Sequence, residues 1–362
     1  MMKTRFIKST LLGLGFAATA FSAIANTDLS EKSWEDIVAQ AKQEGSVTFS
    51  VWYLQPQFRL FVKDFEKTYG IKVKIPEGTL DGNMNKLIAE KSLAKGKMDV
   101  IAIAADNYPI VQKNDVLRNL NSLPNFAQAN HALQGVKFGN QAMGFWGNQT
   151  GFAYDPLRVS EDQLPQSWQE TVNYMQTHPK KFGYADPNGG ASGKAFIFQA
   201  LLNISGNYDY QNTPFDAAQT EKWQSTWDWF NQNKQNMVRT ASNADSLTRL
   251  NDGELDIVSA WQDHLFSLQK QGAVTPRLKF YVPKFGMPGG GNVVVVAQNA
   301  PHPAASLVFT NWLVSPETQQ KLADHFGIRQ LNAEVGEADI PFFPLDWSKA
   351  AIADFTKEVI AK

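Results

Sequence analysis

Within about eighty residues near its start, the chain alternates three times between short β-rich runs and helical patterns, and few folds accommodate that order. Residues 46–52 alternate Val47, Phe49 and Val51 with Thr48 and Ser50, between Gly45 and Pro56. Phe58, Phe61, Val62 and Phe65 then recur at helical spacing up to Gly70. Residues 71–75 read as a second strand, 83–94 as a helix and 99–104 as a third strand. Ahead of them Ser33 is placed to cap a helix with Trp34, Ile37, Val38 and Ala41 on one face. Such alternation implies right-handed βαβ units, hence an α/β fold whose mainly parallel sheets are flanked by helices. In open sheets of this kind a ligand sits beyond the carboxyl ends of the strands. Trp52, Tyr53, Thr79, Asp81, Asp106 and Asn107 follow those ends and are the first candidate ligand contacts.

The middle of the chain changes character. Residues 145–155 form an extended, glycine-punctuated passage containing Trp146 and Asn148, and Ser167 caps the helix that follows. Residues 182–185 read as a strand, then a turn containing Gly189, Gly190 and Gly193 leads into a helix carrying Phe196, Ile197, Ala200 and Leu201. Trp223, Trp227 and Phe230 share one face of a later helix, and a short helix at 245–252 precedes a strand at 256–261. Strands at 278–282 and 292–297 and helices at 303–313 and 316–325 restore the pattern of the first half. No tandem repeat or low-complexity linker interrupts it, so two units would be joined by extended strands acting as a hinge.

The first residues read as an address. Lys3, Arg5 and Lys8 precede an apolar stretch at 9–21, and Ala23-Ile24-Ala25 is a small-x-small site, so cleavage is expected after Ala25. The apolar stretch falls short of the roughly 20 residues that cross a bilayer. With no cysteine, the chain has no site for a lipid anchor and no disulfide, so a freely diffusing exported protein held by its cores is expected. About 337 residues would remain, enough for two domains. Formal charge is −1, and −4 without the three leading basic residues, which argues against a nucleic-acid partner.

The 145–155 run, Leu164-Pro165-Gln166-Ser167-Trp168, Gly253-Glu254-Leu255-Asp256-Ile257 through Trp261, and residues 303–313 with Ser315-Pro316-Glu317 together resemble the extracellular solute-binding proteins of ABC importers. The similarity is greatest to the group that binds spermidine/putrescine, iron(III), thiamine and phosphonates. It implies the two-lobed type 2 periplasmic binding protein fold, with lobe one at 26–145 plus 262–322 and lobe two at 146–261 plus 323–362. It also implies a monomer that hinges shut over a small molecule and delivers it to an inner-membrane permease, with no cofactor.

Two chemistries stay open for the solute. Gly190, Ser192, Gly193 and Lys194 at a helix start could cradle a phosphorylated or carboxylated group. Alternatively Asp81, Asp106 and Asp263 could hold a cationic amine, with Trp52, Tyr53, Trp146 and Trp261 as flat walls. Iron is disfavoured because no Tyr-Tyr pair occurs, and the five histidines lack ligand spacing. A hydrolase would need a G-x-S-x-G elbow, an H-E-x-x-H pair or a cysteine nucleophile, none of which is present. A structural or adhesive protein would show repeats or all-β patterning.

Overall fold

The computed structural model describes residues 29–332, 340 and 342–362. The signal sequence expected at 1–25 lies outside them. The strands are β1 (Ser46–Ser50), β2 (Lys72–Lys74), β3 (Val100–Ala104), β4 (Ala132–Leu133), β5 (Val136–Lys137), β6 (Met143–Tyr154), β7 (Phe182–Ala185), β8 (Met237–Thr240), β9 (Ile257–Trp261), β10 (Lys279–Tyr281) and β11 (Gly289–Val296). Among the described residues they form one continuous path, β2-β1-β3-β11-β6-β9-β7-β8, with β10 added on β6 and β4–β5 as a separate hairpin.

That path is two mainly parallel sheets joined by long antiparallel strands. β1 pairs in parallel with β2 and β3, and β7 pairs in parallel with β8 and β9. β6 is twelve residues long because it serves both. Met143 to Gln149 pair with β11, whereas Thr150 to Tyr154 pair with β9. The buried side chains divide the same way. Met143, Phe145 and Trp146 lie in a core with Val47, Phe49 and Val293–Val296, and Phe152 and Tyr154 lie in a second core with Phe182, Phe196, Trp223 and Trp227. The sequence run 145–155 is therefore a single strand passing between cores, and the two-lobed α/β fold expected from the pattern is the one observed.

Local signals hold where they are strong. Ser33 accepts from the Asp36 N–H and Ser167 makes a full capping box with Glu170, so their helices begin where the hydroxyls sit. Trp223, Trp227 and Phe230 are all buried. The helix expected around Phe58 is two helices, Gln55–Phe61 and Lys63–Tyr69, meeting at Val62.

Buried residues cluster otherwise than the lobe division that the resemblance implied. Residues 262–281 were expected in lobe one, yet Leu265, Val274 and Leu278 pack with Leu247, Leu250 and Leu255, and β10 pairs with the second half of β6. The return passage is thus at 288–292, just after Met287 of the second core. Residues 323–331 likewise stay with the first core through Phe326, Ile328 and Leu331, and the second core regains the chain at Phe343, Trp347, Ala351 and Phe355. A tryptophan at a strand end does not mark the crossing. The partner of β6 does, and strand pairing is invisible in local sequence.

Candidate ligand-binding cleft

Where β6 and β11 pass between the cores, a cavity of about 480 Å³ opens. Trp52, Tyr53, Asp106, Trp146, Asn148, Lys194, Trp261 and Asp263, all candidates from the sequence, line it. Trp52 and Tyr53 follow β1, Asp106 follows β3 and Trp261 ends β9, as the strand-end rule requires. Lys194 comes from the helix Ala191–Ile204 of the second core, so both cores contribute.

These residues do not all present a free surface. Trp146 is 1% exposed and is wedged among Tyr53, Phe58 and Phe326 with ring centroids 5.0–5.4 Å away. It is a core side chain whose Nε1 donates to Asp263 Oδ2 at 3.3 Å. Trp261 is only partly buried and stacks on Phe342 at 5.8 Å and 27°. Tyr53 makes an edge contact with Trp52 at 4.7 Å, and its hydroxyl accepts from Asn292 Nδ2 at 2.7 Å.

The electrostatics centre on two carboxylates. Enclosure by protein pushes the Asp263 carboxyl up to about 6, against the hydrogen bonds of Trp146, its own helix start and Asn148 that favour the ion. Its Oδ1 accepts from the His264 N–H at 2.9 Å. Asp106 is exposed as a residue, yet the walls around its carboxyl raise it above the usual range, and Lys194 pulls it back. Burial lowers Lys194 in turn, opposed by Asp106. Both line the cleft, and each charge acts on the other there.

The remaining candidates lie elsewhere. Thr79 is exposed and caps the helix Leu80–Ala89 by accepting from the Gly82 N–H at 3.1 Å, Asp81 is exposed in its first turn, and Asn107 sits in the turn behind Asp106. The glycine-rich turn has its Ser192 donors engaged within the protein. Ser192 is fully buried, and its hydroxyl and N–H both go to Asn243 Oδ1, at 2.7 and 3.3 Å. A protein side chain thus fills the place an anion was expected to take. Gly193 serves packing, since a Cβ there would lie 1.6 Å from the Ala185 carbonyl oxygen, and one at Gly190 would lie 2.4 Å from Asn243 Oδ1.

Residues missed in the sequence complete the lining, among them Gln134, Asn243, Asn292 and Phe342. The Gly289-Gly290-Gly291 run was the available signal. A Cβ on Gly291 would sit 2.5 Å from the Trp146 carbonyl oxygen, so these glycines let β4–β5 and β6 close on β11.

Residues 60–351 match the family of bacterial extracellular solute-binding proteins. The chain belongs to that family. Solved structures similar to this solute-binding protein include a protein of Bordetella parapertussis described as an extracellular solute-binding protein, at 16% identity and TM-score 0.68, covering 88% of this chain and 99% of that one. The apo ferric ion-binding protein A of Pasteurella haemolytica matches at 15% and 0.63, covering 87% and 98%. A spermidine/putrescine ABC transporter substrate-binding protein of Streptococcus pneumoniae matches at 14% and 0.61, covering 86% and 99%. At such identities the likeness is one of fold. A comparison with curated proteins found no match.

Proposed function

We propose that this solute-binding protein is the periplasmic capture component of an ABC importer, closing its two lobes over a small organic cation and presenting it to the inner-membrane permease. The observation that carries the reading is the cleft itself. Its volume of about 480 Å³ suits a small organic solute, and its walls come from both cores at the point where the chain passes between them. Closure about β6 and β11 would bring those walls together. Lobe one would then comprise 29–149, 290–331 and lobe two 150–289, 342–362.

The lining of the cleft supports a cationic solute. Asp106 and Asp263 stand beside the rings of Trp52, Tyr53, Trp261 and Phe342, a setting that favours a cation through charge-assisted hydrogen bonds and ring quadrupoles. A phosphorylated or carboxylated solute would find Lys194, but not the Ser192 donors, which Asn243 engages. The protein acts by binding and is read as a monomer that is exported and cleaved after Ala25.

Small-angle scattering of the purified chain, with and without the solute that native mass spectrometry finds bound after periplasmic isolation, tests this reading. A smaller radius of gyration with solute is expected. Identical curves together with no co-purifying solute would overturn it.

A further inference from the structure

The polar lining of the cleft carries an imbalance that its charges alone do not reveal. Gln134 stands at the tip of the β4–β5 hairpin, where Gln134 and Gly135 adopt φ of +54° and +76°. A two-residue turn with both φ positive favours asparagine and glycine, so a glutamine at its first position holds a conformation costing about 1 kcal/mol or more. The side chain reaches β11. Its Nε2 donates to the Gly289 carbonyl at 3.1 Å, and this fixes the amide's orientation, because only the nitrogen can face a carbonyl oxygen. Its Oε1 is then buried without a hydrogen-bond partner among the described residues.

Asn148 on β6 repeats the arrangement. Its Oδ1 is likewise buried without a hydrogen-bond partner among the described residues, and its amide is near enough to Asp263 to favour the ionised carboxyl. Both amides flank one glycine: the point where a Gly290 Cβ would stand is 2.8 Å from Asn148 Oδ1, 2.9 Å from Gln134 Nε2 and 3.4 Å from Trp261 Cη2. Two amides, each with one unpaired oxygen, therefore stand beside the same stretch of the crossing strand and the Trp261 edge, in the cleft that Asp263 also lines. Each buried acceptor without a donor is a penalty of about 1–3 kcal/mol in the ligand-free protein, and a ligand that supplies N–H groups removes it.

We propose that Gln134 and Asn148 are specificity-determining residues of this cleft, their side-chain oxygens and the Asp263 carboxylate together receiving the N–H donors of one protonated primary amine or amidinium group. The inference rests on the function proposed above. A quaternary ammonium of the same charge would satisfy Asp263 and the rings while leaving both amide oxygens unpaired. A carboxylate or phosphate would face three acceptors. Because Gln134 is bonded to Gly289, the group it reads is also tied to one of the strands about which the lobes close.

The test uses the whole chain and matched probes: ethanolamine, putrescine and cadaverine, each against its trimethylammonium counterpart, with glycerol 3-phosphate as the anion, all followed by calorimetry. At least one primary amine is expected to bind, with its trimethylated form 100-fold weaker or worse. Gln134→Met should weaken that amine at least tenfold, whereas Gln134→Glu, which keeps an acceptor, should hold or tighten it. Both variants lose the donor to Gly289, and Gln134→Glu also adds a charge and sets an oxygen against that carbonyl, so each is measured with the trimethylammonium probe as well to subtract the general electrostatic gain, and urea unfolding of each measures the structural share. Binding of a trimethylated form within threefold of its amine, equal losses in the two variants, or no binding by any primary amine would overturn the proposal. So would a co-purified solute that closes the lobes but lacks such a group, an outcome that leaves the proposed function standing.

Discussion

Replacing Asp263 by asparagine should change how stability depends on pH, in a direction opposite to that of most carboxylates. An aspartate usually gains hydrogen bonds or a cation on folding, so its folded pKa drops and acid destabilises the protein. Asp263 is enclosed beside Trp146 and Asn148, and desolvation raises it to about 6, above the unfolded value of about 3.9. In the window between those values the folded state binds the extra proton, so stability falls as pH rises through about 4 to 6. Both states are ionised at pH 7, whereas at pH 4.5 only the folded carboxyl is protonated, and linkage gives a gain of about 2 kcal/mol on acidification. The assay is urea unfolding of the wild type and Asp263→Asn at both pH values. Every other carboxylate titrates in both proteins, so the double difference isolates this one. A value below about 0.5 kcal/mol would refute the reasoning. Cation binding must move the other way, because Asp263 has to be ionised to receive the ligand, and affinity should fall about tenfold per unit below pH 6. Opposite pH trends in stability and affinity would mark a single group behind both.

Three other substitutions separate packing from binding. Trp146→Ala should cost about 3–5 kcal/mol by thermal or urea unfolding, because a ring 1% exposed among Tyr53, Phe58 and Phe326 leaves a cavity. This differs from the sequence expectation of a removable aromatic wall; Trp261→Ala, which is partly exposed, is the variant that tests a wall. Gly193→Ala should destabilise by roughly 3 kcal/mol or prevent folding, since its methyl would meet the Ala185 carbonyl carbon and oxygen, and normal expression and melting would show that the helix can shift. Arg277→Ala should cost about 2 kcal/mol at pH 7, because it removes the two-pronged partner, at 2.9 and 3.0 Å, of the buried Asp155. Arg277 holds that carboxyl below its usual range, so the deficit should shrink as pH falls below about 4; a deficit constant with pH would place the effect elsewhere.

The candidate site was half legible. Trp52, Tyr53, Asp106 and Trp261 were found because the end of a parallel strand is a position that a run of β-rich residues discloses by itself. Ser192 was misread for a reason of the same kind. A glycine-rich turn opening a helix is a local pattern that leaves free N–H groups, and nothing local says that Asn243, some fifty residues on, supplies their acceptor. Gln134 carried no signal either, since a hairpin of two-residue strands is too short to show periodicity.

By itself the sequence determined the βα alternation, the capped helix starts at Ser33 and Ser167, the buried face of Trp223, Trp227 and Phe230, and from the ordered motifs the family. These are matters of short-range periodicity and capping, which depend on neighbours a few residues apart. Only the tertiary structure decided that β6 is shared between two sheets, that Leu265, Val274 and Leu278 pack with Leu247, Leu250 and Leu255, and which polar atoms in the cleft lack a partner among the described residues. Each of those is settled by pairing and packing between segments far apart in the chain, where a hydrogen bond or a methyl contact has no local trace.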